Sequence, residues 1–451
     1  MQMQEFLNAL FARAKSEGIE ACEAYIAKQD EFEASVNEGE IIGYTVSAGM
    51  GLGFRALIDG KMGYASTQVL DEASIELLVE GVKSNATLIE SADEQFIFAG
   101  SNSYPKCDSY NPALDELSAA DKLSMVKKLE LATIAVDERI ARTEDCIIMS
   151  GSSMVRIVNS LGLDVSHEDN LLCMAVAPIA QQKEQLNSGF EYLVVRDAAD
   201  MNIDRLAQDA AQIALDGLGA KPVASGDYAI VLHNSAATSL LSVFAGVFSA
   251  DSAQRGLSQL RGKEGERIAA ECVTLMDDPF HPKGQSGAPF DAEGVACYEK
   301  KLIDKGTLTT LLHNLKTAKK QGLEKSTANA AKASYASPVG IAPSNFYFEP
   351  GSEPLNDLLK RADGGLLITD VQGLHAGANG ISGDFSLSAK GFLIEDGAKG
   401  RAVNQITISG NFYQLLRDIQ ALGNDLRFSF PGVSCVGSPS LLIAGLSVAG
   451  E

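Results

Sequence analysis

Apolar and polar positions alternate between two periods along this chain. Phe6, Leu7, Leu10, Phe11 and Ala14 fall on one helical face, and Gly18 supplies a stop. Two strand patterns follow. Cys22, Ala24 and Ile26 alternate with polar or aromatic neighbours, as do Phe32, Ala34 and Val36, and Asp30 is placed near a turn between them. A glycine-rich strand pair runs from about Ile41 to Ser66 and turns at Asp59-Gly60. Ile75, Leu78, Val79 and Val82 then mark a second amphipathic helix.

Residues 89–117 lack sustained periodicity and read as a connector. From about Ser118 a helix carries Leu123, Val126, Leu129 and Ile134. Strands are predicted at Cys146–Met149, Met154–Asn159, Leu172–Pro178 and Tyr192–Val195, with a turn at Asn159, Ser160 and Gly162. A helix from about Ile203 ends at Gly217. Tyr228–Leu232 reads as a buried strand and Ala236–Ala250 as a buried helix. Beyond it lie short strand-like runs, interrupted by one helix around Leu311–Gln321. The expected fold class is α+β. It comprises an N-terminal domain over 1–88, a connector over 89–117, a central domain over 118–222 and a β-rich, barrel-like domain over 223–451.

Charge narrows the partners. The 451 residues carry a formal net charge of −22, a surface that repels phosphate backbones and anionic lipid. Neither direct nucleic-acid binding nor membrane association is expected. The lysines at 316, 319, 320 and 325 read as a solvated face. Seven scattered cysteines without a C-x-x-C pair argue for a reducing compartment. No basic-then-apolar leader opens the chain, and no apolar run approaches the roughly 20 residues of a spanning helix. A cytoplasmic location is expected.

The candidate chemistry is sparse. A helical zinc site needs two imidazoles on one helix with a carboxylate nearby. His167, His233, His281, His313 and His375 are too far apart in sequence for that. No G-x-S-x-G elbow occurs. Cys435, between Pro431-Gly432 and Gly437, reads as a buried thiol rather than a nucleophile. Gly49-x-Gly51-x-Gly53 is followed by strand chemistry, so it reads as a strand packed close to another backbone and not as a phosphate loop. Asp277-Asp278-Pro279 reads as a turn. The run from Gly377 to Ser386, with Asn379, Ser382, Gly383, Asp384 and Phe385, reads as a shaped loop, first as a capped turn and second as a loop of the kind that lines sites.

That loop, followed by Gly391-Phe392, resembles the signature of the TldD/PmbA family. Pro289-Phe290-Asp291-Ala292-Glu293-Gly294, Ser326-Thr327-Ala328-Asn329-Ala330, Ile408-Ser409-Gly410-Asn411 and Gly423-Asn424-Asp425 agree in order and spacing. Gly51-x-Gly53-x-Arg55 and Asn159-Ser160-x-Gly162 fit more loosely. The chain is most similar to the PmbA, or TldE-like, branch. The resemblance implies a three-part layout and a cytosolic metallopeptidase system acting on extended peptides or small unfolded proteins. It also implies links to DNA gyrase modulation and peptide-antibiotic maturation. In the two-chain form a TldD-like subunit holds zinc through His-Glu-x-x-x-His and a later cysteine. Here the matching positions are Ser242, Val243 and Val247, with Cys435 near the last ligand. The resemblance therefore implies a chain with no catalytic residues and no bound metal of its own. It would pair with a TldD-like subunit or with itself, and Asn379, Ser382, Gly383, Asp384, Phe385 and Ser386 would help shape a substrate channel.

Overall fold

A computed structural model describes residues 1–90, 93–431 and 434–451. Positions 91 and 92 of the connector, and Gly432 beside Cys435, lie outside the described residues.

One antiparallel sheet carries the first two units. Its order is Lys61–Thr67, Glu40–Ile58, Cys22–Asn37, Ile140–Asn159, Asp164–Gln182, then Gln185–Ser188 and Glu191–Val195 side by side at the edge. The N-terminal and central strands join where Cys22–Asn37 pairs with Ile140–Asn159, from Glu23↔Asn159 to Ser35↔Ile147. Helices Met3–Ser16 and Glu72–Thr87 cover Ile26, Leu52 and Phe54 at one end. Helices Ala119–Ile134 and Ile203–Asp216 cover Phe32, Ala34, Ile148 and Met174 at the other. Ser118 starts the third of these through a capping box with Asp121, at the point where the sequence reading begins the helix.

The turn expected near Asp30 is not there. Cys22–Asn37 is one uninterrupted strand. Ile26, Phe32 and Ala34 share parity and therefore one face. The polar stretch Lys28–Glu31 lies between the two helix-covered cores, where nothing apolar is required. The strands predicted at 146–149 and 154–159 likewise merge into Ile140–Asn159.

Residues from 226 onward build a closed five-stranded barrel. Gly226–Leu232 lies parallel to Leu366–Gln372. Asp384–Glu395 and Ala398–Asn411 follow as a hairpin, and Leu441–Ala449 closes the ring by pairing with both Ala398–Asn411 and Gly226–Leu232. Its packing includes Leu232, Ile368, Leu387, Ile408 and Ile443. A second sheet contains Leu275–Asp277, Lys300–Asp304, Asn345–Phe348 and Cys435–Ser438. The expected 236–250 helix is shorter: Asn234–Phe244 is α-helical, and Ala245–Phe248 tightens into a 3₁₀ turn. No helix among the described residues is long and apolar enough to cross a membrane.

A buried polar junction fastens the barrel unit to the first sheet. Arg55 Nε donates to Glu23 at 2.8 Å, and its Nη1 donates to Glu293 at 3.3 Å. Glu293 also accepts the Leu315 N–H at 2.8 Å. Gly53 lies under the Tyr335 carbonyl, which a Cβ would approach to 1.9 Å, and Gly51 lies under the Tyr335 ring. The glycine-rich strand is therefore a seat for another backbone, as its sequence suggested. Lys316, Lys319 and Lys320 make ion pairs with Asp93 and Glu94 of the connector.

Lys332 lies in this junction with its ammonium over Tyr25, 4.9 Å from the ring centre, and near Tyr64. Burial pushes its pKa down from 10.5 to about 8. Between those values the unfolded chain binds the extra proton, so this group's contribution to stability rises as pH rises through the window. Lys332→Met is expected to flatten that rise. Urea denaturation at about pH 7.5 and about pH 10 checks it.

Candidate functional site

The helix Asn234–Phe244 leaves the barrel directly after the strand Gly226–Leu232. Its inner face is apolar: Ala237, Leu240, Leu241 and Phe244 are buried, and Phe244 stacks on Phe412 at 4.5 Å. Its outer face carries Ser235, Thr238, Ser239 and Ser242, which border a cavity of about 860 Å³. The opposite wall is the sheet edge from Asn187 to Tyr192 together with Ile213 and Asp216. Leu367, Phe392 and Val403 complete it from the barrel.

The floor is rich in hydrogen-bond acceptors. Ser239 Oγ donates to the Ser235 carbonyl at 3.0 Å and Ser242 Oγ to the Thr238 carbonyl at 2.9 Å. Ser235 Oγ donates to the Thr369 carbonyl at 2.7 Å. With their protons committed to the backbone, these hydroxyls retain lone pairs as their free capacity. His233 sits at the helix start, its Nδ1 2.9 Å from Ser235 Oγ. Burial lowers the His233 pKa, which favours the neutral ring.

The far wall is aromatic and ionic. Arg427 forms a two-pronged ion pair with Glu191, one contact at 2.8 Å, and its guanidinium lies 4.4 Å from the centre of the Tyr192 ring. Phe190, Tyr192 and Phe430 form a cluster with centroid separations of 5.4–6.2 Å. Phe190 is 49% exposed and borders the opening. Gln185–Ser188 and Glu191–Val195 pair with Asp164–Gln182 and form the sheet's edge. An edge beside a cavity offers main-chain donors and acceptors to an extended peptide.

Of the residues singled out in the sequence, Ser242 and Val243 line the cavity, whereas Val247 is buried beyond it at 3% exposure. Cys435 is buried with Met276, Tyr347 and Phe428, and burial pushes its thiol up to about 12. That environment suppresses a thiolate and with it nucleophilic or metal-binding chemistry.

The 377–386 loop lies elsewhere. Lys390, Gly391 and Phe392 reach the cavity, and Asp384 is six residues back along the same strand, about 20 Å away. Asn379 Oδ1 accepts the N–H groups of Ile381 and Ser382, and Gly383, at φ +83°, donates its N–H to the Asn379 carbonyl. Asn411 Nδ2 donates to Asp384 at 2.9 Å, which with Ser382 holds that carboxyl below its ordinary range. Phe385 is buried and the Ser386 hydroxyl meets that of Ser409 at 3.1 Å. These bonds fix the loop's own shape around a separate shallow depression. His375 and Asp384 are exposed while Cys435 is buried, and the three form no shared site.

Asp277 also departs from expectation. It lies in the strand Leu275–Asp277 with no exposure, and it accepts from Lys300, Asn329 and Ser344. The turn belongs to Asp278, whose side chain accepts the Phe280 N–H at 2.8 Å. Glu191, Tyr192 and Arg427 were not legible as site residues. Tyr192 and Arg427 meet across 235 positions of sequence, and no local pattern in the chain joins them.

Family models described as PmbA/TldA metallopeptidase domain 1, central domain and C-terminal domain match residues 22–86, 112–218 and 225–450. The chain belongs to the PmbA/TldD family. It is 26% identical to the metalloprotease PmbA of Escherichia coli O157:H7, over 98% of this chain and 94% of that one. A crystal structure described as a modulator of a DNA gyrase from Thermotoga maritima is 36% identical and superposes with a TM-score of 0.92 over 99% of this chain and 100% of that one. TldE from Thermococcus kodakarensis, at 23% identity, shares the fold with a TM-score of 0.90 over 99% and 100% of the two chains.

A metallopeptidase family implies a metal, and the side chains at the cavity decide whether this chain can hold one. Of the positions that the resemblance sets against a zinc motif, Ser242 and Val243 lie on the helix facing the cavity and Val247 in the 3₁₀ turn beyond it, and they offer one hydroxyl and two alkyl groups. Cys435 is a buried thiol whose pKa burial raises to about 12. Among the described residues no three His, Cys, Asp or Glu side chains are grouped to hold a metal ion. The residues present do not fit a catalytic zinc, which needs three nitrogen, sulfur or carboxylate ligands.

Proposed function

We propose that this chain is the peptide-holding subunit of a cytoplasmic PmbA/TldD-type peptidase, in which a TldD-like partner supplies the zinc and breaks the bond. One observation carries the reading: a cavity of about 860 Å³ combines a sheet edge, with no further strand beyond it among the described residues, with a helix bearing hydroxyls where a metal site would need imidazoles. An extended or unfolded peptide adds to the edge around Glu191–Val195 by main-chain pairing, which gives affinity with little sequence preference. Its apolar side chains meet Phe190, Tyr192 and Phe430, and its outward N–H groups face the acceptor-rich floor.

The test uses a fluorescently labelled unstructured peptide. The lone chain is expected to bind it without cleaving it, and cleavage is expected on adding a TldD-like subunit. Ser239→Trp, which fills the cavity, is expected to weaken binding by about tenfold or more in an anisotropy titration. Zinc-dependent cleavage by the lone chain, abolished by chelator, would overturn the reading. A second reading, a regulatory homodimer that captures a protein client, draws support from residues 40–51 of the strand Glu40–Ile58, which among the described residues pair with a strand on one side only.

A further inference from the structure

Every hydroxyl that the helix Asn234–Phe244 turns to the cavity gives its proton to a backbone carbonyl. Ser235, Ser239 and Ser242 do so as described above, and Thr238 donates to the Arg427 carbonyl at 3.2 Å. The helix therefore offers a ligand lone pairs and no free hydroxyl proton. Ser239 and Ser242 are three residues apart, so they are neighbours on the helix surface with Cβ atoms about 5–6 Å apart. One small donor group between them reaches both oxygens.

The charges of the lining leave room for a cation. Glu191, Asp216 and Asp370 face the cavity together with Lys390, Lys399 and Arg427. Arg427 is paired with Glu191 and Lys399 with Asp216. Lys390 stands directly opposite Asp370 in the ladder of the barrel. The lining thus has no excess of positive charge, in a chain whose net charge of −22 draws cations toward it. The aromatic wall adds to this. Arg427 covers the Tyr192 ring, whereas Phe190 and Phe430 carry no cation of the protein's own among the described residues, and ring faces attract cations.

We propose that Ser239 and Ser242 form a subsite for an alkylammonium group, and that the chain selects extended peptides carrying lysine over the same peptides with a neutral or acidic side chain there. The inference rests on the peptide-holding reading of the cavity and adds a preference to it. The sheet edge binds main chain of any sequence, and the helix opposite reads one side chain. An ammonium has three donors and no acceptor, the complement of two hydroxyl lone pairs. A carboxylate has acceptors only, and at these serines it finds no proton that the backbone does not already hold.

Lysine also suits the walls. A peptide paired along the edge sends alternate side chains to opposite faces. One of them turned toward the helix lays its four-carbon stem along Val243 and Ile213, which border the cavity, and carries its charged head to the serines. The free N-terminus of a peptide bears the same ammonium chemistry on a shorter reach, so the test separates the two sources.

The full chain is titrated, with anisotropy as readout, against versions of one labelled unstructured peptide. Three are N-acetylated and carry lysine, norleucine or glutamate at the centre; the fourth carries norleucine and a free N-terminus. The acetylated lysine peptide is expected to bind about tenfold more tightly than its norleucine counterpart, the worth of about one hydrogen bond to a charged group, with glutamate weakest. In the double variant Ser239→Ala, Ser242→Ala the lysine-to-norleucine ratio is expected to fall close to one. Ser242→Lys, which sets a fixed ammonium where the ligand's would lie, is expected to invert the order of lysine and glutamate. Equal binding of the three acetylated peptides would overturn the subsite and leave the peptide-holding reading standing. A lysine preference that survives the double variant would overturn its placement on these serines, and a preference for the free N-terminus alone would overturn the assignment to lysine. Failure of all four peptides to bind would overturn both readings.

Discussion

Replacing Arg55 by methionine is expected to cost about 3–5 kcal/mol of folding stability, measured by urea denaturation. Arg55 is 4% exposed, and its partners Glu23 and Glu293 are 1% and 5% exposed. Burial opposes the guanidinium charge, but the carboxylates of Glu23 and Glu293 outweigh it and raise the Arg55 pKa. Without Arg55, two carboxylates remain out of water with no cation between them. Each then favours its protonated form. A carboxyl whose folded pKa is raised stabilises the fold below its unfolded pKa and ceases to as pH rises, so the loss is expected to be smaller in acid than at neutral pH. Restoring neutrality with Glu23→Gln and Glu293→Gln is expected to recover part of it. The effect reaches beyond the local fold, because this trio joins the first sheet to the barrel unit. A variant as stable as the wild type would show that the junction is incidental.

Asp277→Ala is expected to be comparably damaging, by about 3–5 kcal/mol. Asp277 has no exposure and accepts from Lys300 at 2.9 Å, Asn329 at 2.7 Å, and the Ser344 N–H and hydroxyl at 2.6 and 2.8 Å. Removing the carboxylate strands the Lys300 ammonium, 7% exposed, and leaves the other donors without their acceptor. A double-mutant cycle with Lys300→Met separates the pair from the surrounding bonds. The double variant is expected to be more stable than Asp277→Ala alone, because no buried charge remains. Additive losses would contradict that account.

These two centres also show what the sequence could disclose. Gly51-x-Gly53-x-Arg55, Asn159 and Glu293 were recognisable as recurring positions, and alternation around Gly53 pointed to close backbone contact. Their convergence was not legible, because Arg55 and Glu293 lie 238 positions apart and neither local pattern encodes the other. Asp277-Asp278-Pro279 gave a turn signal that was correct for Asp278 and misleading for Asp277, whose buried cation is supplied by another strand. The longer helices, such as the one from Ala119, were legible from their apolar stripes, whereas the seven-residue helices Leu355–Arg361 and Phe412–Asp418 were missed, being too short to show a period. The long strands were cut short in prediction because their polar middles, such as Lys28–Glu31, cross a gap between two cores. Ser242 and Val243, named only because the family resemblance sets them against a metal motif, border the cavity, the channel candidates of the 377–386 loop do not, and Glu191, Tyr192 and Arg427 assemble only in the folded chain.

The proposed division of labour between this chain and a metal-bearing partner meets its most direct test in zinc stoichiometry. The purified full chain, equilibrated with micromolar zinc and dialysed, is expected to retain far less than one ion per molecule by elemental analysis. One tightly held zinc per chain, released only by a strong chelator, would contradict it.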